Sequence, residues 1–459
     1  MDLAANFSPM QKDLDSLNHI HAQTPSWADV YMLDTWAVID AEAEAMLQAL
    51  HSRSTGGIKH HLEVLKQKWA ANFMSKFYIG YGHKSIGDCG SATLFVEWVS
   101  MLAAKAIQHH KLYSGQESST RYIDFSQQKI HNPAWNPLGE QIQEKQRSFY
   151  LKILQPLRDH LAKKYPKAPD QKESVREKAI NAKAFDIARG FLPAWTSTNL
   201  AWHSNLRQIQ DRLLRLRHHP LEEVRQIAQA ILQVSIQKYP NSFTTKTYED
   251  TEKYAELAKD YYYFFEAPYP EFEVYKDSID TKQLQKYRPL FEQRPNAKTE
   301  LPQFINTLGT ISFRFLLDFG SFRDLQRHRA PDQQMPLLTD KIGFHPWYIQ
   351  QLPPQLQDEA RKHLEEIKEL TDQLNLPDEL RQYYIPMWYL TTNFLQWTLP
   401  ALVYLVELRS TRFVHPTLRK VAHRIGHYLQ NKHKIKVFLD DEDIDFDIKR
   451  GLQDIQVKD

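Results

Sequence analysis

The sequence predicts an α+β, mostly helical protein built as two pseudo-symmetric lobes. Three observations carry this. Most long segments place apolar residues at three- and four-residue spacing, the signature of amphipathic helices. Glycine is scarce, 14 in 459 residues, or about 3% against a usual ~7%, which disfavours folds that need many tight glycine turns. The same order of motifs occurs twice along the chain, so the lobes read as a tandem duplication.

In chain order, helical periodicity covers residues 33–52, 60–77, 91–110, 147–165 and 221–239. From about 239 to 299 the chain turns rich in Tyr, Pro and charge and reads as a packed connector. A second helical block follows at 301–329, 353–374 and 388–413. Alternation in 433–449 predicts a short strand or hairpin. The expected organisation is an N-terminal lobe over 1–240, a connector over 241–298 and a C-terminal lobe over 299–459. The repeat is visible in two places. AKAIQHHKLYSGQESSTRY in the first lobe answers to FRDLQRHRAPDQQMPLLTD in the second, and DIARGFLPAWTSTNLAWHSN to LRQYYIPMWYLTTNFLQWT.

Composition narrows the function. Lys+Arg is 58 and Asp+Glu 56, a formal charge of +2. That balance is wrong for a protein that coats a polyanion, so no nucleic-acid partner is expected. Neither G-x-G-x-x-G nor G-x-x-x-x-G-K-[ST] occurs, which disfavours Rossmann and P-loop nucleotide sites. The single cysteine, Cys89, allows no internal disulfide and no Cys-rich zinc site, and fits a reducing compartment. The start has no basic-then-apolar leader, and the longest apolar run, about 399–406, is far short of the ~20 residues that cross a bilayer. The expectation is a cytoplasmic protein with no membrane partner and no metal. The pairs His60-His61 and His218-His219 read as solvated, because adjacent histidines on a helix point about 100° apart. Trp347-Tyr348 could line a pocket.

The densest polar stretch is His109-His110-Lys111-Leu112-Tyr113-Ser114-Gly115-Gln116-Glu117-Ser118-Ser119-Thr120-Arg121-Tyr122. It combines imidazole and cationic groups, hydroxyls, a carboxylate and a guanidinium. Arg with Ser suits a phosphate monoester, and Glu suits a hydroxyl or ring N–H donor. A helix cap followed by a surface loop with an Arg–Glu pair is the alternative reading of the same residues.

The stretch resembles the signature R-H-R-x-x-S-x-x-E-x-S-x-R-Y of flavin-dependent thymidylate synthases, through His110, Ser114, Glu117, Ser119, Arg121 and Tyr122. Three further segments resemble that family in the same order. Gly82-His83-Lys84-Ser85 with Asp88 is similar to G-H-x-[ST]-x-x-E, Ala188-Arg189-Gly190-Phe191-Leu192-Pro193 to A-R-x-x-L-P, and Asn205-Leu206-Arg207 to N-x-R. Two departures stand out. The R-H-R triplet is His109-His110-Lys111 in the first lobe, while the second lobe keeps Arg327-His328-Arg329. The positions matching Ser114, Glu117, Ser119 and Arg121 are Asp332, Met335, Leu337 and Thr339 there.

The resemblance implies reductive methylation of dUMP to dTMP with FAD as cofactor and methylene-tetrahydrofolate and NADPH as co-substrates. It implies a pyrimidine-nucleotide site of Ser114, Glu117, Ser119, Arg121, Tyr122 and Arg189. It implies flavin contacts from His83, Ser85, His109, His110, Lys111, Asn205, Arg207, Arg327, His328 and Arg329. Arg215 or Arg217 falls where the family has the arginine that stabilises charge on the pyrimidine. Members of the family are usually homotetramers with shared sites, so a homodimer of this chain would imitate that tetramer. The altered triplet leaves two alternatives open: a flavoenzyme of the same fold acting on another pyrimidine nucleotide, and a non-catalytic nucleotide-binding or assembly protein on a decayed scaffold. Cys89 reads as a small buried helix residue, so the cysteine-nucleophile route to the same product has no evident nucleophile.

Overall fold

A computed structural model describes residues 19–33, 41–51, 84–118, 125, 136–167, 169, 171–264 and 270–441. These residues form two compact units. One draws on residues 1–118 and 197–261, the other on 119–196 and 262–459.

In the first unit, β1 (His19–Gln23), β2 (Asp29–Leu33), β3 (Ser91–Ser100), β4 (Ser114–Glu117) and β5 (Ser197–Asn205) make an antiparallel sheet of order β1-β2-β3-β5-β4. Helix α1 (Ala41–His51) precedes β3, and α2 (Met101–Gln108) follows it directly. The second unit contributes α3 (Pro137–Lys164) and α4 (Glu173–Ala188) before the chain returns to β5. Then α5 (Leu206–Arg217), α6 (Glu222–Lys238) and α7 (Glu249–Tyr263) follow. The second sheet has order β6-β7-β9-β8, with β6 (Phe272–Asp277), β7 (Thr310–Asp318), β8 (Asp332–Gln334) and β9 (Leu390–Thr398). Its long helices are α8 (Phe319–Gln326), α9 (Pro354–Gln373), α10 (Leu399–Arg409) and α11 (Pro416–His433).

The two antiparallel sheets and long helices agree with an α+β, mostly helical class, but the sheets hold more of the chain than expected. Residues 91–110, 301–329 and 388–413, each expected as helical, are strand followed by helix. In β3 the residues Ala92, Leu94 and Val96 face inward with half-buried residues between them. That is the period of a strand, and a short apolar run with both faces covered does not distinguish the two states. The expected strand or hairpin in 433–449 is absent as far as it is described: residues 434–441 have no regular structure, and 442–449 lie outside the described residues. Residues 60–77 also lie outside them.

Three of the strand-to-helix junctions share one design, and β9 runs into α10 at Thr398 without it. The side chains of Ser100, Asn205 and Asp318 cap α2, α5 and α8 by accepting backbone N–H bonds from Ala103, Gln208 and Ser321 at 3.0, 2.8 and 2.8 Å. A bulge between Val96 and Val99, with Trp98 at φ 60°, turns Val99 and Ser100 inward just before α2.

The expected boundary at 240 does not coincide with the compact units. Helices α3 and α4, read as part of the first lobe, pack in the second unit. There α3 lies against α9, with Lys145 Nζ 2.7 Å from Glu366, Lys152 paired to Glu359, and Phe149 stacked on His363 at 4.2 Å. Beside it, Leu192-Pro193-Ala194-Trp195 meets Ile385-Pro386-Met387-Trp388 in a reciprocal pattern. Ala194 N–H donates to Ile385 O at 2.8 Å and Met387 N–H to Leu192 O at 3.0 Å. Trp195 N–H donates to Tyr383 O at 3.2 Å and Trp388 N–H to Gly190 O at 3.3 Å. Each bond has a counterpart with the two segments exchanged. The Trp388 indole fills the centre. A Cβ on Gly190 would lie 1.1 Å from its ring, and one on Gly320 1.6 Å.

Candidate functional site

The polar stretch grows out of the end of α2. The Ser100 N–H and Oγ donate to the buried Glu223 carboxylate at 2.8 and 2.6 Å, fixing where α2 starts. At the other end the chain leaves the helix at His109. Tyr113 N–H returns to His110 O at 3.1 Å, and Leu112 N–H donates to His110 Nδ1 at 3.2 Å. The chain then enters β4, which pairs Ser114 with His203 and Glu117 with Leu200. Tyr113 locks the turn by donating its hydroxyl to Ala201 O at 2.6 Å.

Glu117 is half-buried. Gln108 Nε2 donates to its Oε2 at 2.7 Å, and the Thr198 hydroxyl lies 3.5 Å from its Oε1. Ser114 and Lys111 are exposed beside it. From α5, Arg212 is buried and donates Nη2 to Ala106 O at 2.6 Å, while Arg215 is exposed. Burial, then the charges of Arg212 and Arg215, push the His110 imidazole down to about 4. Burial also lowers the Lys105 ammonium to about 8. His219, expected as solvated, is buried and held well below its ordinary range, first by desolvation and then by Lys105, Arg212 and Arg225.

His109, His110 and Lys111 lead from α2 into the edge strand β4 with Ser114 and Glu117, and Arg215 of α5 acts on His110. Asn205 is there as a helix cap, its side-chain oxygen used on Gln208. Arg207 donates Nε to Asp88 at 2.7 Å and lies 3.6 Å from Asp211. Ser85 sits in the 3-10 turn Lys84–Asp88, its carbonyl 3.7 Å from Cys89 Sγ. Arg217 is turned away to α7, where its Nε donates to Glu252 at 2.9 Å and its Nη2 takes the other oxygen. His218, also expected as solvated, is half-buried between Glu252 and Glu256, at 2.6 and 2.9 Å. His83, Ser119, Arg121 and Tyr122 lie outside the described residues.

Arg189, expected on the nucleotide, belongs to the second unit. It is buried, with Nη2 2.5 Å from Asp186 and its guanidinium 5.0 Å over the Trp388 ring. In the same unit Arg327 and Arg329 are exposed, Arg327 lying 3.8 Å from Asp324. His328 between them accepts Arg409 Nε on its Nε2 at 2.8 Å, and burial followed by that guanidinium lowers it to about 3. Tyr348, expected at a pocket, is instead buried against Trp388 at 4.4 Å. A cavity of about 360 Å³ opens nearby between Phe344, Ile349, Leu364 and Tyr389, with Arg361 and Lys368 at its rim.

Sequence reasoning missed Gln108 and Arg212. Gln108 is the residue next to the triplet. Arg212 is three positions before Arg215, hence on the same helix face, and that spacing was the available signal.

Comparison with known proteins bears on this polar, cation-bearing edge. Residues 33–241 match the family model described as thymidylate synthase complementing protein. A "UPF0159 protein" of Chlamydia muridarum is 28% identical over 424 residues, covering 77% of each chain. One from Chlamydia pneumoniae is 26% identical over 412 residues, again 77% of each, and one from Thermoplasma acidophilum 22% over 443, 80% of this chain and 87% of that one. The similarity to the thymidylate synthase complementing family lies in the N-terminal half of the chain.

Proposed function

We propose that this protein is a flavin-dependent enzyme that methylates dUMP to dTMP, taking the carbon from methylene-tetrahydrofolate and reducing equivalents from NADPH. The observation that carries the reading is the family match over the residues that build the His110–Glu117–Arg215 edge. Glu117, fixed by Gln108 and Thr198, is a carboxylate of the kind that accepts a hydroxyl or ring N–H. Arg215 and Arg217 are two residues apart on α5 and so point about 200° apart. Arg215 shares the His110 side, and Glu252 occupies Arg217. We therefore assign to Arg215 the stabilisation of negative charge on the pyrimidine ring.

Residues of this edge fit a flavin dinucleotide in kind. The Lys111 cation suits a phosphate, and a half-buried imidazole and amide suit ring carbonyls. FAD, when bound, supplies the redox chemistry of the methyl transfer. Burial and the carboxylates of Asp88 and Glu44 raise the Cys89 thiol above its ordinary value, so it is a poor thiolate and supports the flavin route over the cysteine route. The equivalent element order in both sheets and the reciprocal Leu192–Trp195 and Ile385–Trp388 contact support an internal duplication, and with it a dimer that imitates the family's tetramer. Replacement of two arginines by His109 and Lys111 favours, as a second reading, a different pyrimidine nucleotide as substrate. Rescue of a thymidine-requiring host tests the assignment. Growth supports it, and failure with soluble, flavin-loaded protein overturns the dUMP reading.

A further inference from the structure

The same device closes the helix before each triplet. Arg212 on α5 donates Nη2 to Ala106 O at 2.6 Å, and Arg409 on α10 donates Nη2 to Asp324 O at 2.7 Å. Ala106 lies four residues before His110 and Asp324 four before His328, so the two carbonyls are equivalent. Each arginine thus pins the last turn of the helix whose end carries the triplet. Each also presses its charge on the central histidine.

The two histidines differ in which nitrogen is taken. A backbone N–H can only donate, so the 3.2 Å bond from Leu112 leaves the lone pair of His110 on Nδ1 and the proton on Nε2. A guanidinium likewise only donates, so the 2.8 Å bond from Arg409 leaves His328 with its proton on Nδ1. Burial first, then the charges of Arg212 and Arg215 on α5, keep His110 from gaining a second proton. His109 and Lys111 flank it in the chain. The nearest carboxylate named on this edge, Glu117, is engaged by Gln108 and Thr198.

We propose that Arg212 is a positioning residue that holds His110 as an uncharged donor through Nε2–H, and that the ligand group His110 takes is a neutral acceptor, a ring carbonyl or ring nitrogen, rather than a phosphate. This rests on the nucleotide and flavin reading above. It divides the triplet: the cationic Lys111 suits phosphate, and His110 reads the ring.

The test is histidine-selective isotope labelling of the full-length protein, with the His110 signals assigned through His110→Asn. In the parent protein the ring should show the Nε2–H form and stay uncharged from pH 8 down to about 5. Arg212→Met should raise its titration midpoint above about 4, with burial and Arg215 still holding it below the ordinary 6.5, and Arg212→Lys should bring it back down. If Arg212→Met does not fold, Arg215→Met, on the exposed face, should give a smaller rise in the same direction. Inorganic pyrophosphate should leave the His110 signals in place, and FAD or dUMP should move them. An imidazolium at pH 6, an Nδ1–H form, or protonation on adding pyrophosphate overturns the inference. An uncharged ring in protein that takes up neither FAD nor dUMP instead overturns the underlying nucleotide reading.

Discussion

Asp318 offers a sharp test of the second unit's electrostatics. It ends β7, caps α8 through Ser321 N–H at 2.8 Å, and is wholly buried. Burial raises its carboxyl from 3.8 to about 6, against opposing hydrogen bonds from Thr417, Ser321 and Tyr348. The folded protein therefore keeps this proton to higher pH than the unfolded chain does. Between pH 4 and 6 the folded state binds more protons, so this group's contribution to stability is full below about 4 and is lost as pH rises through about 6. A gap of roughly two pH units at 1.36 kcal/mol each makes the loss about 3 kcal/mol. Asp318→Asn keeps the cap, since an amide oxygen accepts the same bond, and removes the titration. Urea unfolding followed by tryptophan fluorescence at several pH values from 4.5 to 7.5 measures the effect. The variant should gain on the parent steadily as pH rises, by up to about 3 kcal/mol. A difference that stays flat across the range, or a parent that gains on the variant, would refute the reasoning.

Gly190→Ala drives a methyl into the Trp388 indole and should destabilise the protein by at least ~1–3 kcal/mol, visible as a lower melting temperature. Arg294→Met leaves Glu407 buried without its guanidinium and should cost about 3–5 kcal/mol. Lys152→Ala, at an exposed pair with Glu359, should cost less than about 1 kcal/mol. Arg215→Met should lower turnover of dUMP by on the order of 100-fold, while Glu252→Gln, which loosens Arg217 and its neighbour His218, should leave it unchanged. A gain or loss confined to Glu252→Gln would move the assignment to Arg217. Arg327→Ala should lower flavin content of purified protein, and unchanged absorbance in the flavin bands would remove Arg327 from the cofactor's contacts.

The helices whose apolar stripe recurs over many turns, 137–164 and 222–238, were legible from spacing alone. So was the His110–Glu117 edge, because a dozen consecutive residues carry it. The strands β3, β7 and β9 were not. Each runs without a break into a helix, so one apolar stretch holds two periods and the helical one dominates the window. Arg189 shows a second limit. Its motif is local, but its partners, Asp186 within the segment and Trp388 some two hundred residues on, decide that it is buried. Likewise His219 reads as a surface residue beside His218 until α2 and α6 close over it with Lys105 and Arg225.

The placement of α3 and α4 has a consequence for how the chain is made. Their partners lie far downstream: Trp388 Nε1 meets Ile187 O across 201 positions, and Gln146 reaches Tyr384 O across 238. At roughly 5–20 residues per second of synthesis, these helices leave the ribosome about 10–40 seconds before the surface that covers them exists. During that interval Phe149 lacks His363, the ring it stacks on in the folded protein. A chain cut near residue 240 is caught permanently in that state, so separate expression of the two halves should yield an aggregating N-terminal piece, and co-synthesis with the remainder should recover it.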